Sequence, residues 1–365
     1  MGPEQYGIYR VFEQLGTGGM ATVHRAEVDT PDGVKQVALK RLTPTIDKKP
    51  LNLFQDEARL LGYLHHPNIP EMYDTGRVFG TYFIAMEYIQ GPTLKQLIEH
   101  CAVSVGPVPQ GIALNLIGQL CDALDYAHKR RDEKGRPLGI IHRDVTPANL
   151  ILNHDGVLKL VDFGLAKASV AMEPSTAGVI KGKLGYVAPE YTRGQIDHRA
   201  DLWAVGIILY ELLTGRRLFD GAEAVDTLSR VRQLPIPKPS RANPHVATEI
   251  DDLVMTALER DPHHRWPSAS SMRQRIDTLC ARLGEQVDHQ RVMEWTTWAL
   301  AEKRGRAIQL TPVVALPSVR APAPRQPQPA DAAVAPIHGS MRGRIAVLCG
   351  IALLVLVAVA SRFVH

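Results

Sequence analysis

The sequence predicts an α+β chain: a two-lobed globular unit, an extended linker, and one apolar helix towards the C-terminal end. Three observations carry this. Residues 9–283 alternate strand-like and helix-like patterns with no long low-complexity break. Residues 305–342 turn abruptly to proline and alanine, with Pro312, Pro317, Pro322, Pro324, Pro327, Pro329 and Pro336 among few large apolar side chains. Such a segment buries too little surface to offset its conformational entropy, so it reads as linker. Residues 343–362 hold an uncharged apolar run from Ile345 to Ala360.

Bulk properties agree with this layout. A chain of 365 residues exceeds one average domain and suits two lobes with appendages. With 45% apolar and 22% charged residues it can build a sizeable core. A net charge of +4 is small at this length and argues against a nucleic-acid partner. Cys101, Cys121, Cys280 and Cys349 lie far apart and form no metal-like pair, as expected of free thiols in a reducing compartment. Met1–Tyr9 lacks a basic-then-apolar signal region, so the first unit is expected to stay in the cytoplasm.

Along the chain, Leu15-Gly16-Thr17-Gly18-Gly19-Met20-Ala21-Thr22-Val23 comes first. Its glycines let a strand-turn-strand backbone approach phosphates, although a plain hairpin turn fits the same residues. Val37-Ala38-Leu39-Lys40 is a strand-like run ending in a cation. In the helical stretch that follows, Phe54, Ala58 and Leu61 share one face with Glu57 beside it, while Asp56 points outward. His65 and His66 are adjacent and therefore point apart, so no metal pair is expected. Tyr82-Phe83-Ile84-Ala85-Met86-Glu87-Tyr88 reads as a buried strand running into a polar connector that ends near Gly91.

Ile141-His142-Arg143-Asp144-Val145-Thr146-Pro147-Ala148-Asn149, followed by Asp162-Phe163-Gly164, carries the chemistry. Asp144 can orient a hydroxyl nucleophile, and Asn149 and Asp162 offer the hard oxygens that magnesium takes. Ser169, Ser175 and Thr176 lie between Asp162 and Ala188-Pro189-Glu190. Asp201-Leu202-Trp203-Ala204-Val205-Gly206 opens a long apolar helix through Leu213. Residues 284–304, with Val287, Met293, Trp295 and Trp298, form an amphipathic extension that either packs on the preceding lobe or binds a partner.

In this order and spacing, over residues 9–283, the motifs resemble those of eukaryotic-type (bacterial) Ser/Thr protein kinases. The resemblance implies the two-lobed protein-kinase fold, with a small β-rich N-lobe and a large, mainly helical C-lobe. It implies ATP and Mg²⁺ (Mn²⁺ in its place) as cofactors, and protein substrates. Leu15, Gly16, Gly18, Gly19, Val23 and Ala38 would surround the nucleotide, and Met86, Glu87 and Tyr88 would form the hinge at the adenine. Lys40 would hold the α- and β-phosphates, fixed by Glu57. Asp144 would be the base, and Asn149 and Asp162 the metal ligands. Arg143 would bind a phosphate on the segment after Asp162, where Ser175 and Thr176 sit best for autophosphorylation. Asp201 would anchor the catalytic-loop backbone, and Arg265 would pair with Glu190. The resemblance leaves dimerisation open.

Three positions depart from the family pattern. Ala21 replaces the third glycine; Thr146 stands where a lysine is usual; Gly182-Lys183 stands where Gly-Thr is usual. The last two look like an exchange of residue types. If it is compensatory, Lys183 reaches toward Asp144 and the γ-phosphate, with Thr146 as its hydroxyl partner. If both losses are real, the chain is a pseudokinase scaffold that binds ATP and signals by docking. A tyrosine or small-molecule kinase is the third reading.

The apolar run has about 16 residues, roughly 24 Å of helix, short of the ~30 Å hydrocarbon core. Arg344 and Arg362 can snorkel to cover the shortfall. Arg342 and Arg344 before it, against Arg362 after it, favour a cytoplasmic N-terminal side. The expectation is a tail anchor in the bacterial cytoplasmic (inner) membrane, with the kinase domain facing the cytoplasm.

Overall fold

Two-residue periodicity decides how the first lobe is layered. The computed structural model describes residues 2–43, 48–163, 183–194 and 196–302. Strands β1 (Glu4–Tyr6), β2 (Tyr9–Thr17), β3 (Ala21–Thr30), β4 (Gly33–Leu42), β5 (Met72–Val78) and β6 (Thr81–Glu87) form one antiparallel sheet in the order β1-β2-β3-β4-β6-β5. Along central strand β4, Val37 and Leu39 join Tyr6, Tyr9, Val11, Phe83 and Ala85 on one face. Ala38 lies with Ile84 and Met86 in the main core on the other. Alternation therefore sends Lys40 to the same side as Ala38, toward helix α1 (Lys48–Leu61). Phe54, Ala58 and Leu61 bury the apolar face of α1, and Glu57 is buried among them.

The connector between lobes runs unusually close to the C-lobe backbone. A side chain at Gly91 would collide with the Leu152 carbonyl oxygen, so only glycine fits. Helix α2 (Leu94–Ser104) then starts from a capping box in which Thr93 and Gln96 satisfy each other's backbone amides. Strands β7 (Leu150–Leu152) and β8 (Leu158–Leu160) pair as a short ribbon, and the Leu152 amide reaches back to the Pro92 carbonyl at 3.0 Å.

Helix α3 (Gln110–Lys129) and α4 (Arg199–Thr214) form the C-lobe centre. Every residue of α4 from Ala200 to Thr214 is buried, the signature of a helix enclosed on all sides. It stops at Gly215, which takes the left-handed cap conformation (φ +66°). Around it lie α5 (Ala224–Gln233), α6 (Pro239–Ala242), α7 (Thr248–Ala257) and α8 (Ala269–Leu283). The extension folds as α9 (His289–Ala301), opened by an Asp288 cap. It packs on the lobe against α2 and α3: Val292 and Ala299 are buried, and His100 Nε2 lies 3.0 Å from the Ala299 carbonyl.

Gly164, Ser169, Ser175, Thr176 and Gly182 lie outside the described residues, as do the 305–342 linker and the 343–362 apolar segment. Among the described residues no helix is long and apolar enough to cross a membrane.

Candidate active site

Lys40 enters the cleft between the lobes from β4, with Nζ 2.5 Å from Glu57 Oε1 and 2.9 Å from Asp162 Oδ1. Burial alone would depress its pKa, but the charges of Asp162 and Glu57 outweigh it and hold the ammonium above its ordinary range. One strand, one helix and one loop thus converge on a single cation. Asp162 adopts φ +57° to get there, and Arg143 adopts φ +65°. Left-handed backbone at a non-glycine residue costs about 1–2 kcal/mol, so both loops are held by their surroundings.

Those surroundings start at Asp201 in the first turn of α4. Its carboxylate accepts the His142 and Arg143 amides at 2.9 Å each, and His128 Nε2 lies 2.8 Å away. Burial pushes Asp201 up, yet its hydrogen bonds with His128 and the Arg143 amide keep it below the usual carboxylate range. His142 lies over Phe163, ring centroids 4.6 Å apart. Its Nδ1 takes the Asp144 amide at 3.3 Å, and its Nε2 meets the Val161 carbonyl at 3.2 Å. Burial lowers its pKa and keeps the ring neutral.

Asp144 itself is buried. Asn149 Nδ2 donates to its carbonyl at 2.9 Å and to Oδ2 at 2.6 Å, and Lys183 Nζ reaches the same Oδ2 at 3.0 Å. Lys183 is set at the start of a turn fastened to the C-lobe core. The Tyr186 amide bonds the Lys183 carbonyl at 3.0 Å, and the Tyr186 hydroxyl bonds buried Glu211 at 2.6 Å. A side chain at Gly185 would meet the Phe219 carbonyl at 2.6 Å. Thr146 is buried too, but its hydroxyl has no hydrogen-bond partner among the described residues. Lys183 and Asp144 are therefore brought together, whereas the expected Lys183–Thr146 hydroxyl bond is not formed.

The nucleotide side is lined as the strand register dictates. Ala38 pairs with Met86 across β4 and β6, and Val23 with Lys40 across β3 and β4. The turn carrying Gly18 and Gly19 closes through the Gly18 amide on the Ala21 carbonyl at 2.8 Å. The Ala21 methyl is buried in the core, so a side chain is accommodated where the family pattern has glycine. Leu15, before Gly16, stays largely exposed. Beyond Met86, the Glu87 carboxylate accepts Lys159 Nζ at 2.6 Å, which turns that side chain toward β8. Arg265 meets Glu190 through two bonds of 2.7 Å below the site.

Asn149 spends its amide nitrogen on Asp144, which leaves its carbonyl oxygen as the donor a cation would take. With the half-exposed Asp162 carboxylate it supplies a small all-oxygen set. Magnesium suits such a set, because it keeps several waters and takes phosphate oxygens beside one or two protein ligands. Among the described residues no cluster of three or more His, Cys, Asp or Glu side chains offers a rival site.

The Lys40–Asp162 contact and the Lys159–Glu87 pair were not among the sequence expectations. A lysine inside the apolar run Leu158-Lys159-Leu160 is the signal for the second. It reports a buried charge but not its partner.

Comparison with known proteins covers the same region. The protein kinase domain family model matches residues 9–275. The tyrosine-protein kinase MasK of Myxococcus xanthus is 34% identical over 280 residues, covering 76% of this chain and 43% of that protein. The serine/threonine-protein kinase PrkC of Bacillus subtilis is 34% identical over 273 residues, covering 74% and 40%. The chain thus spans less than half the length of either curated relative. Among solved structures, the PknI kinase domain of Mycobacterium tuberculosis superposes with a TM-score of 0.56 at 27% identity, over 76% of this chain and 98% of that domain.

Proposed function

Because this chain belongs to the protein kinase family, whose members use ATP and a divalent metal, we propose that it is a membrane-tethered, self-phosphorylating kinase acting on serine and threonine hydroxyls of proteins. The observation that carries this is the meeting of Lys40 with Glu57 and Asp162 beside Asp144, Asn149 and Lys183. Phosphoryl transfer asks a protein mainly for position and charge, and this cluster supplies both.

In this reading Lys40, held cationic by Glu57, binds the α- and β-phosphates under the Gly16–Gly19 turn. Met86, Glu87 and Tyr88 present backbone to the adenine. Asp144 orients the acceptor hydroxyl and takes its proton, with Asn149 fixing the rotamer of that carboxylate. Magnesium, held by Asn149 and Asp162, would neutralise phosphate charge. Lys183 supplies a further cation beside Asp144, the place filled in the family pattern from the catalytic loop, where this chain has Thr146.

The support for the tether is the apolar run at 343–362 behind the proline-rich 305–342 segment, with Arg342 and Arg344 favouring a cytoplasmic kinase domain (residues 9–283) at a bacterial inner membrane. A second reading, tyrosine as the acceptor, is favoured by the similarity to a tyrosine-protein kinase and by the missing loop lysine.

One experiment tests the reading: radiolabelled ATP with the full chain, wild type and Asp144→Asn, followed by phospho-amino-acid analysis. Labelled serine or threonine is expected, and about 10²–10⁴-fold slower labelling in the variant. Undiminished labelling would remove Asp144 from its role; phosphotyrosine alone would select the second reading. No wild-type labelling with intact ATP binding would select the scaffold.

A further inference from the structure

Away from the residues that would touch nucleotide, a chain of amides crosses the C-lobe from the extension to the strand that presents Asp162. It begins where the Val287 carbonyl accepts Asn115 Nδ2 at 2.6 Å. Asn115 Oδ1 accepts Gln119 Nε2 at 2.8 Å, and the same nitrogen reaches the Gly156 carbonyl at 3.1 Å. Gln119 Oε1 accepts Asn68 Nδ2 at 3.0 Å and the Leu158 amide at 2.8 Å. Asn68 then grips β8 twice more: Nδ2 donates to the Leu158 carbonyl, and its own carbonyl takes the Leu160 amide, both at 2.8 Å. One residue on, the Val161 amide bonds the Asn149 carbonyl at 2.9 Å.

The relay has one orientation. Turning the Gln119 amide over would set its NH₂ against the Leu158 N–H and the Asn68 NH₂, and its oxygen against two acceptors. Gln119 and Asn68 are both buried, so water cannot replace a lost partner. Asn68 also lies in the loop that follows α1, the helix carrying Glu57. The extension is seated firmly at the near end. Gln110 Nε2 donates to Glu285 Oε1 at 2.8 Å, and the β7–β8 turn approaches so closely that any side chain at Gly156 would meet the His289 carbonyl.

We propose that the extension, residues 284–302, is a positioning element for the metal-binding strand. Docked, it fixes Asn115, and through Gln119 and Asn68 it holds β8, and with it Asp162, in register with Asn149 and the loop behind Glu57. The meaning of Asp162 here rests on the kinase reading above. Loosening the extension therefore weakens metal and nucleotide binding.

Hydrogen–deuterium exchange and Mg²⁺ titration on the full chain test this, with Asn115→Ala breaking the relay and Val292→Asp undocking the helix. In both variants the peptide spanning Leu158–Asp162 should exchange faster, while peptides of the N-lobe sheet do not change. The Mg²⁺ concentration for half-maximal ATP binding should rise about three- to tenfold, and the double variant should add little to either single one. Faster exchange confined to the extension and α3, with β8 and the Mg²⁺ midpoint unmoved, would overturn the proposal and leave the extension a stabiliser only. A wild-type chain that bound no Mg-ATP would overturn the kinase reading instead, and the exchange measurement would still decide the coupling by itself.

Discussion

His142 accepts an amide at Nδ1 and faces a carbonyl at Nε2, which only the neutral ring with its proton on Nε2 can do. Its folded pKa lies below the ordinary 6.5, and burial lowers His24 and His66 in the same direction. Between those values the unfolded chain binds protons that the folded chain refuses, so stability is present above pH 6.5 and lost as pH falls. Glu211, raised by burial, works the other way. The prediction is therefore comparative: from pH 7.5 to 5.5 the urea midpoint falls, and it falls less steeply in His142→Gln. The Lys183 contact makes a second prediction. Lys183→Thr should slow labelling by about 10²-fold, as loss of one transition-state donor does. Adding Thr146→Lys should restore most of it; a double variant no faster than the single one would refute the exchange. At this scale the sequence was legible wherever a motif fixed both residue type and spacing, as at Lys40, Asp144, Asn149 and Asp162. It could not reveal the orphaned Thr146 hydroxyl, because that depends on which neighbours fold around it.

Elements meet by backbone as well as by side chains, and Gly91 is the clearest case. Gly91→Ala would drive a methyl into the Leu152 carbonyl, a contact neither segment can relax, and should cost about 3 kcal/mol in urea unfolding. A cost under ~1 kcal/mol would mean that the connector stands further from β7 than described. Periodicity had already picked out the buried face of α1, since burial of Phe54, Ala58 and Leu61 is encoded locally. The place of the extension was not legible. Val292 and Ala299 mark an apolar stripe, but a stripe does not say what covers it. Asn115, Gln119 and Asn68 were silent for the same reason: each is an ordinary polar residue until the fold stacks them in line.

For the molecule as a whole, the proposed tether makes the next prediction. The full chain should remain with membranes after alkaline carbonate washing. Leu353→Arg with Leu356→Arg should release it, since each central arginine costs about 2.5–3.5 kcal/mol in the bilayer. Retention of the double variant would point to attachment elsewhere. The lobes carry a different consequence. Lys159–Glu87 pins the far end of β6 to β8, Leu152–Pro92 pins the connector beyond it, and Asn68 binds the loop after α1 to the same ribbon. Connector, ribbon and helical lobe are therefore bonded together at three points. Lys40 and the Gly16–Gly19 turn belong to the sheet above that floor, joined to it through Glu87 and the loop behind α1.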